Sequence, residues 1–292
     1  MTTGDKATFR IGLVQMCSGR DVARNVQDAS ALVREAAAGG ARYVQTPEVT
    51  TLMELERARL FAETKPEAGN AALAAFTDLA AELGIFLHVG SMGVLLDSGR
   101  IANRSYVIAP DGRVAARYDK IHMFDVDLPN GESYKESRNY EPGTRAVVAD
   151  LPWGGLGLTI CYDLRFPYLH RALAQAGARF IAAPAAFTRT TGEAHWHILQ
   201  RARAIESQCF VFAAAQGGLH EHGRETYGHS LVVAPWGEVV AEGGIHPSVI
   251  FADVQSGQVD DARGRVPSLT HDRPFEVERV DATAGTATKV RS

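Results

Sequence analysis

Three observations predict an α/β fold with mixed sheets and helices on the outer faces. Short β-prone apolar runs alternate with segments of helical spacing, and hairpin turns interrupt the alternation. No Pro/Gly/Ser-rich linker divides the 292 residues, a length within reach of one large α/β domain. The expected organisation is therefore one domain over 1–281, with 282–292 as a flexible polar tail.

The elements follow in order. A strand is predicted over 9–16. Val22, Val26, Ala29, Val33 and Ala36 then recur at helical spacing, so 21–38 reads as a helix stopped by Gly39-Gly40. A short strand over 42–46 ends at Pro47, and a helix over 67–83 is closed by Gly84. A strand over 85–91 follows. Strands over 103–109 and 113–118 flank the turn Pro110-Asp111-Gly112. Residues 121–143 have no clear period and are rich in acids and turn residues, the composition of a functional loop.

Strands over 147–149 and 156–160 flank Pro152-Trp153-Gly154-Gly155. Pro167 suits the first turn of a helix over 167–176, before a strand over 180–183. A helix over 193–207 has Trp196, Leu199, Ala202 and Ile205 as its apolar stripe. A strand over 209–215, a hairpin of 231–234 with 238–241, and a last strand over 249–254 complete the pattern, with polar sequence from 259 on. Each half runs strand, helix, strand, hairpin, which suggests a structural repeat.

Composition excludes several classes. With 46% apolar and 22% charged residues the chain is an ordinary globular protein. A net charge of −4 leaves no basic face for nucleic acid and no polybasic membrane patch. No stretch has the length of a membrane span, and the N-terminus lacks the apolar core of a secretory signal. Cys17, Cys161 and Cys209 are too few and too dispersed for a disulfide framework, so a reducing cytoplasm is expected.

The chemistry gathers around Cys161. An apolar run, Leu156 to Ile160, leads into it, and Asp163, Arg165 and Pro167 follow at once. That places a thiol at the carboxyl end of a buried strand, where open α/β sheets form their ligand crevice. By itself the segment fits a buried inert cysteine slightly better. Three further groups favour chemistry. Glu48 follows one strand end, Lys120 follows another, and Glu136 lies sixteen residues beyond Lys120 in the irregular region. A thiol near its ordinary pKa needs a base or cation beside it, and a tetrahedral intermediate needs a donor for its oxyanion. A buried glutamate can serve as that base.

Pro47-Glu48, Tyr118-Asp-Lys120-Ile-His122 and Ile160-Cys161-Tyr-Asp-Leu-Arg-Phe-Pro167 resemble the three signatures of the nitrilase superfamily, the carbon–nitrogen hydrolases. Order and spacing agree over nearly the whole chain, and Glu136 matches the family's second glutamate. The resemblance implies an αββα sandwich that pairs into a homodimer, with no metal or organic cofactor. It further implies Glu48 as general base, Lys120 as oxyanion donor, Cys161 as nucleophile, the Tyr162 N–H as second oxyanion donor, and Glu136 as the group that holds Lys120. The reaction implied is amide hydrolysis through a thioester.

Downstream segments (183–187, 191–196, 201–206 and 227–230) look closest to the branch that hydrolyses deaminated glutathione to α-ketoglutarate and cysteinylglycine. The omega-amidase branch, which acts on α-ketoglutaramate, shares much of the pattern. Both substrates are amides of a 2-oxo acid, so a cation for its carboxylate is expected. Arg165 is the candidate, with a structural salt bridge to Asp163 or Glu206 as its alternative role. Phe187 and Thr191 match pocket positions of the family. His195 and His197, two apart on a helix, point to different faces and are poorly placed for one metal ion. Arg201 and Arg203 are expected to pair with Glu206 on the helix surface, and Cys17 and Cys209 to be inert core.

Overall fold

Residues 8–129, 131–282 and 286–289 are described in the computed structural model. The strands of the first half are β1 (Thr8–Gln15), β2 (Tyr43–Gln45), β3 (Phe86–Leu95), β4 (Ile101–Ile108), β5 (Val114–Asp119), β6 (Asp125–Asp127) and β7 (Ser133–Lys135). Those of the second are β8 (Val148–Leu151), β9 (Gly154–Leu158), β10 (Ala178–Ala182), β11 (Phe210–Ala213), β12 (Gly217–Leu219), β13 (Glu225–Tyr227), β14 (Leu231–Val233), β15 (Val239–Glu242) and β16 (Ser248–Gln255). The helices are α1 (Val22–Ala38), α2 (Arg57–Glu63), α3 (Ala71–Leu83), α4 (Pro167–Gln175), α5 (Arg189–Ser207) and α6 (Gly257–Arg265).

Two six-stranded mixed sheets result, ordered β16-β1-β2-β3-β4-β5 and β15-β14-β11-β10-β9-β8. The suggested repeat is real at this level. Each sheet has three parallel strands (β1, β2, β3 and β9, β10, β11), an antiparallel pair on one side and one antiparallel strand on the other. Parallel strands need crossovers, and α1, α3, α4 and α5 supply them.

The sheets pack face to face, giving an αββα sandwich. Phe9, Ile11, Leu13 and Tyr43 of the first sheet share one core with Leu156, Leu158, Phe180 and Phe212 of the second. Rings interlock across it: Phe9 lies 5.4 Å from Phe180 and Tyr43 lies 5.7 Å from Phe212. The outer face of the first sheet buries Ala29, Val33 and Ala36 of α1 and Leu73 and Phe76 of α3. Leu169 and Leu173 of α4 and Trp196 and Ala204 of α5 cover the second.

Capping residues set the helix starts, and two differ from expectation. Asp21 caps α1 as its spacing implies. In contrast, α3 starts at Ala71, because the Asn70 side chain accepts from the amides of Ala72 and Leu73. Thr188 caps α5, which begins four residues before the expected 193. Its buried stripe is Trp196, Gln200, Arg203, Ala204 and Ser207, while Ile205 is exposed. The stripe is partly polar because Arg203 reaches inward to the Leu164 carbonyl at 2.7 Å as well as pairing with Glu206. Arg201 instead donates to the Gly237 carbonyl. The short helices α2 and α6 and the hairpin β12–β13 carry too little periodic signal to be read in advance. The irregular region 121–143 holds the hairpin β6–β7 and a 3₁₀ turn, Glu136–Arg138. Within the expected tail, Thr286–Lys289 pairs antiparallel with Glu278–Asp281, and 283–285 and 290–292 lie outside the described residues. No helix among the described residues is long and apolar enough to cross a membrane.

Candidate active site

Glu48, Lys120 and Cys161 each follow the carboxyl end of a strand, β2, β5 and β9 in turn. Pro47 ends ladder pairing after β2, and Val49 then turns the chain at φ +50°. A β-branched residue rarely takes that conformation. Bonds on both sides hold it: the Val49 amide donates to Ser91 Oγ at 2.9 Å, and Gln216 Nε2 donates to the Glu48 carbonyl at 3.0 Å. Gly90 makes the turn possible. A Cβ there would lie 2.0 Å from the Thr46 carbonyl oxygen and 2.6 Å from the Pro184 side chain. Cys161 also has φ +50°, at the head of the 3₁₀ turn Cys161–Arg165, and its amide donates to the Pro184 carbonyl at 2.9 Å. Two of the four non-glycine residues with positive φ among those described thus adjoin or carry site groups. Such strain persists only where the surroundings over-determine it.

Asp163 fixes the turn to the Lys120 segment. Its fully buried carboxylate accepts from the Ile160 amide at 2.8 Å, the Tyr118 hydroxyl at 2.7 Å and the His122 amide at 3.1 Å, with His122 Nδ1 at 2.6 Å. The signature residues Tyr118 and His122 therefore hold the strand carrying Lys120 against the turn carrying Cys161.

The three side chains are almost out of solvent, at 5%, 2% and 7% exposure for Glu48, Lys120 and Cys161. Lys120 Nζ donates to Glu48 Oε1 at 2.8 Å and to both Glu136 oxygens at 2.9 and 3.1 Å. Asn103 Nδ2 bridges the same carboxylates at 3.0 and 3.2 Å. The second Glu48 oxygen accepts from the Ala186 amide at 3.0 Å. Glu136 is fixed further by the Phe124 amide at 2.6 Å.

Burial opposes charge on Glu48, but Lys120 and the hydrogen bonds prevail and hold its carboxyl below the ordinary carboxylate range. Burial likewise opposes the charge on Lys120, and Glu136 and Glu48 overcome it, pushing the ammonium well up. Cys161 goes the other way: burial and then the Glu48 charge push its thiol well up. The resting state is a thiol facing a carboxylate that an ammonium holds.

A cavity of about 770 Å³ opens on these groups. Tyr162, Arg165, Phe187 and Thr191 all line it, as do Glu48, Lys120, Glu136 and Cys161. Arg165 lies over Phe187 at 5.5 Å and Tyr162 at 5.9 Å, with His195 Nδ1 3.4 Å away. Neither suggested salt bridge forms: Asp163 is held by Tyr118 and His122, and Glu206 by Arg203. Thr191 Oγ1 is 2.9 Å from Thr188 Oγ1 in the α5 cap, so its hydroxyl is already engaged. Asn103 and Arg224 are site residues that sequence reasoning missed. Asn103, at the head of an expected strand that also carries Arg104 and Ser105, had no distinguishing signal, and neither did Arg224, in the turn before β13.

Cys209 is buried, whereas Cys17 is half-exposed with His220 Nδ1 at 3.7 Å, so it is not core. His195 and His197 do diverge: His195 faces Arg165, and His197 joins His229 on Glu242 Oε1. The ligand atoms of His197, His229 and Glu242 lie within 4.8 Å of one another, but none of the three lines the cavity.

An αββα sandwich with a thiol on a strained strand-end turn, beside a buried carboxylate–ammonium pair, defines a class of thiol hydrolases. The chain belongs to the carbon–nitrogen hydrolase family, whose sequence profile matches residues 10–264. It is 38% identical to the deaminated glutathione amidase of Yersinia enterocolitica, over 90% of this chain and 92% of that protein. It is 35% identical to the human omega-amidase NIT2, over 91% and 95%. Saccharomyces cerevisiae Nit3, of the nitrilase superfamily, superposes with a TM-score of 0.84 at 29% identity, covering 94% of this chain and all of that one. A variant of the amidase from Nesterenkonia sp. AN1, with the acetamide moiety of fluoroacetamide on its active-site cysteine, superposes at 0.74 and 25% identity over 89% and 95%. The protein is thus a hydrolase of carbon–nitrogen bonds other than ordinary peptide bonds.

Proposed function

We propose that this chain hydrolyses deaminated glutathione to α-ketoglutarate and cysteinylglycine through a thioester on Cys161. The observation that carries the reading is the buried thiol beside the Glu48–Lys120 pair, in a cavity also lined by Arg165, which has no carboxylate partner among the described residues. Cys161 Sγ attacks the amide carbonyl while Glu48 takes the thiol proton. Moving that proton is unfavourable at rest, because the thiol is pushed up and the carboxyl down. Attack and proton transfer are therefore coupled, and Lys120 with the Tyr162 N–H stabilises the oxyanion as it forms. Glu48 then protonates the leaving nitrogen, and the C–N bond breaks. Glu48 next deprotonates a water that attacks the thioester, and the proton returns to sulfur as the acid leaves. Glu136 holds Lys120 in place, Arg165 receives the 2-oxo acid carboxylate, and Phe187 and Thr191 shape the wall beside it.

The test is release of α-ketoglutarate from deaminated glutathione, beside α-ketoglutaramate, a carbamoyl amino acid and a simple nitrile. The highest kcat/KM is expected for deaminated glutathione. A tenfold preference for α-ketoglutaramate would instead make the protein an omega-amidase. Arg165→Ala should raise KM for both 2-oxo amides roughly ten- to a hundredfold, the worth of a charged hydrogen bond. An unchanged KM sinks the carboxylate role.

The same reading includes a homodimer in a reducing cytoplasm, consistent with three free cysteines. Ile198 and Ile205 on α5 and Trp236 in the β14–β15 turn are 70%, 51% and 54% exposed, an apolar patch of the kind that marks an interface. Sedimentation should give a dimer mass, and Ile205→Glu should shift it toward monomer.

A further inference from the structure

A second cation in the cavity has no assigned task. Of the basic residues lining it, Lys120 is held by Glu48 and Glu136, and Lys135 by Asp127. Arg57 and Arg138 are exposed at the rim. Arg165 and Arg224 are half-buried, and among the described residues neither has a carboxylate partner.

The two lie over different rings of the cavity wall. Arg165 lies over Tyr162 and Phe187, on the nucleophile's own turn. Arg224 lies over Tyr134 at 5.0 Å, and its Nη2 donates to the Ala186 carbonyl at 2.5 Å. The amide of that same Ala186 donates to Glu48 Oε2. Arg224 is thus tied to the residue that positions Glu48. Its Nε is buried without a hydrogen-bond partner, and its Nη1 has only the Met53 sulfur at 4.0 Å. Nε has no accessible surface and cannot reach a ligand, so Nη1 is the open donor, and a guanidinium with an open donor in a substrate cavity suits a carboxylate.

The chemistry fixes which carboxylate. The leaving nitrogen must face Glu48 to receive its proton, so the amine half of the substrate extends on the Glu48 side. We infer that Arg224 is the specificity residue for that half, binding a carboxylate carried by the leaving amine while Arg165 binds the one on the acyl half. The inference rests on the substrate reading above and deepens it: the site takes amides anionic at both ends. α-Ketoglutaramate, whose leaving group is ammonia, offers Arg224 nothing. In deaminated glutathione the terminal glycine carboxylate is the group it would hold.

The test pairs a change in the enzyme with a change in the substrate. Deaminated glutathione and its C-terminal glycinamide differ only in that carboxylate. Wild-type enzyme is expected to favour the acid by at least about tenfold in kcat/KM, chiefly through KM. In Arg224→Gln the preference should collapse to near unity, and Arg224→Lys should keep part of it. Any general loss caused by disturbing Ala186 or Glu48 affects both substrates and cancels in the ratio. A wild-type ratio near one, or a ratio unchanged in Arg224→Gln, overturns the inference and leaves the substrate reading standing. Failure of wild-type enzyme to hydrolyse either compound overturns both.

Discussion

Replacing Cys161 by alanine is expected to reduce turnover of the best amide at least about 10⁴-fold while the protein stays folded. The loss is large because no other thiol lines the cavity among the described residues. The other two cysteines, Cys17 and Cys209, do not line it. The fold survives because the backbone is held independently of the sulfur, by the Cys161 amide on Pro184 and by the Asp163 carboxylate on Ile160, Tyr118 and His122. Alanine keeps the Cβ, so it tolerates φ +50° no worse than cysteine does. Steady-state kinetics and circular dichroism check both halves of the expectation. Mass spectrometry completes it: wild-type enzyme with a slow amide should gain the mass of the acyl group on the Cys161 peptide, and Cys161→Ala should gain nothing. Normal turnover by Cys161→Ala overturns the mechanism outright.

Glu48→Gln should lower kcat by roughly 10²- to 10⁴-fold, the range of a lost general acid–base group, because Glu48 serves at every proton transfer in the proposed cycle. A glutamine at this position keeps the shape of the side chain but has a single oxygen, so it accepts from Lys120 or from the Ala186 amide and not from both, and the change removes one of these bonds together with proton transfer. The pH profile of wild-type enzyme separates the two. In the proposed mechanism the active form has Glu48 ionised, and its carboxyl is held below 4.5, so kcat/KM should be present above that value and fall only as acid protonates it. The active form also has Lys120 charged, and its ammonium is held above 10.5, so no basic loss comes from it near neutrality. The thiol, pushed above 9.0, stays protonated over the same range. Between pH 6 and 8 the free-enzyme profile should therefore be flat to within about twofold. A limb near pH 7 contradicts the assignment of base and cation.

Much of this was legible in the sequence, because strand ends are written locally. Pro47 stops one ladder, Gly39-Gly40 stops a helix, and the run from Leu156 to Ile160 delivers Cys161 to a turn. Those signals placed Glu48, Lys120 and Cys161 at strand ends, and their spacing carried the family. What stayed hidden has two physical causes. The elements that were missed, α2, α6 and β12–β13, are short, so periodicity had too few residues to register. The stripe of α5 departs from its apolar pattern because Arg203 turns in to the Leu164 carbonyl and Ile205 turns out.

The sequence by itself determined the fold class and the two-half repeat and singled out the four groups that meet in the cavity, since each depends on local pattern or fixed spacing. Only the tertiary structure decided their state and company. Residues 48, 120, 136 and 161 come within reach because two sheets stack and one hairpin region folds over the crevice. Burial and the Glu48 charge push the thiol up, while the close approach of Lys120, Glu48 and Glu136 overcomes burial to hold the carboxyl down and the ammonium up. Asp163 proved to be the brace between two signatures, and Arg224 entered the cavity from a turn with no local mark. Their partners lie 41 to 45 residues away for the Asp163 side chain, counting Tyr118 and His122, and 38 residues away for Arg224 on Ala186. Contacts between residues so far apart are set by how the sheets pack, and no local pattern records them.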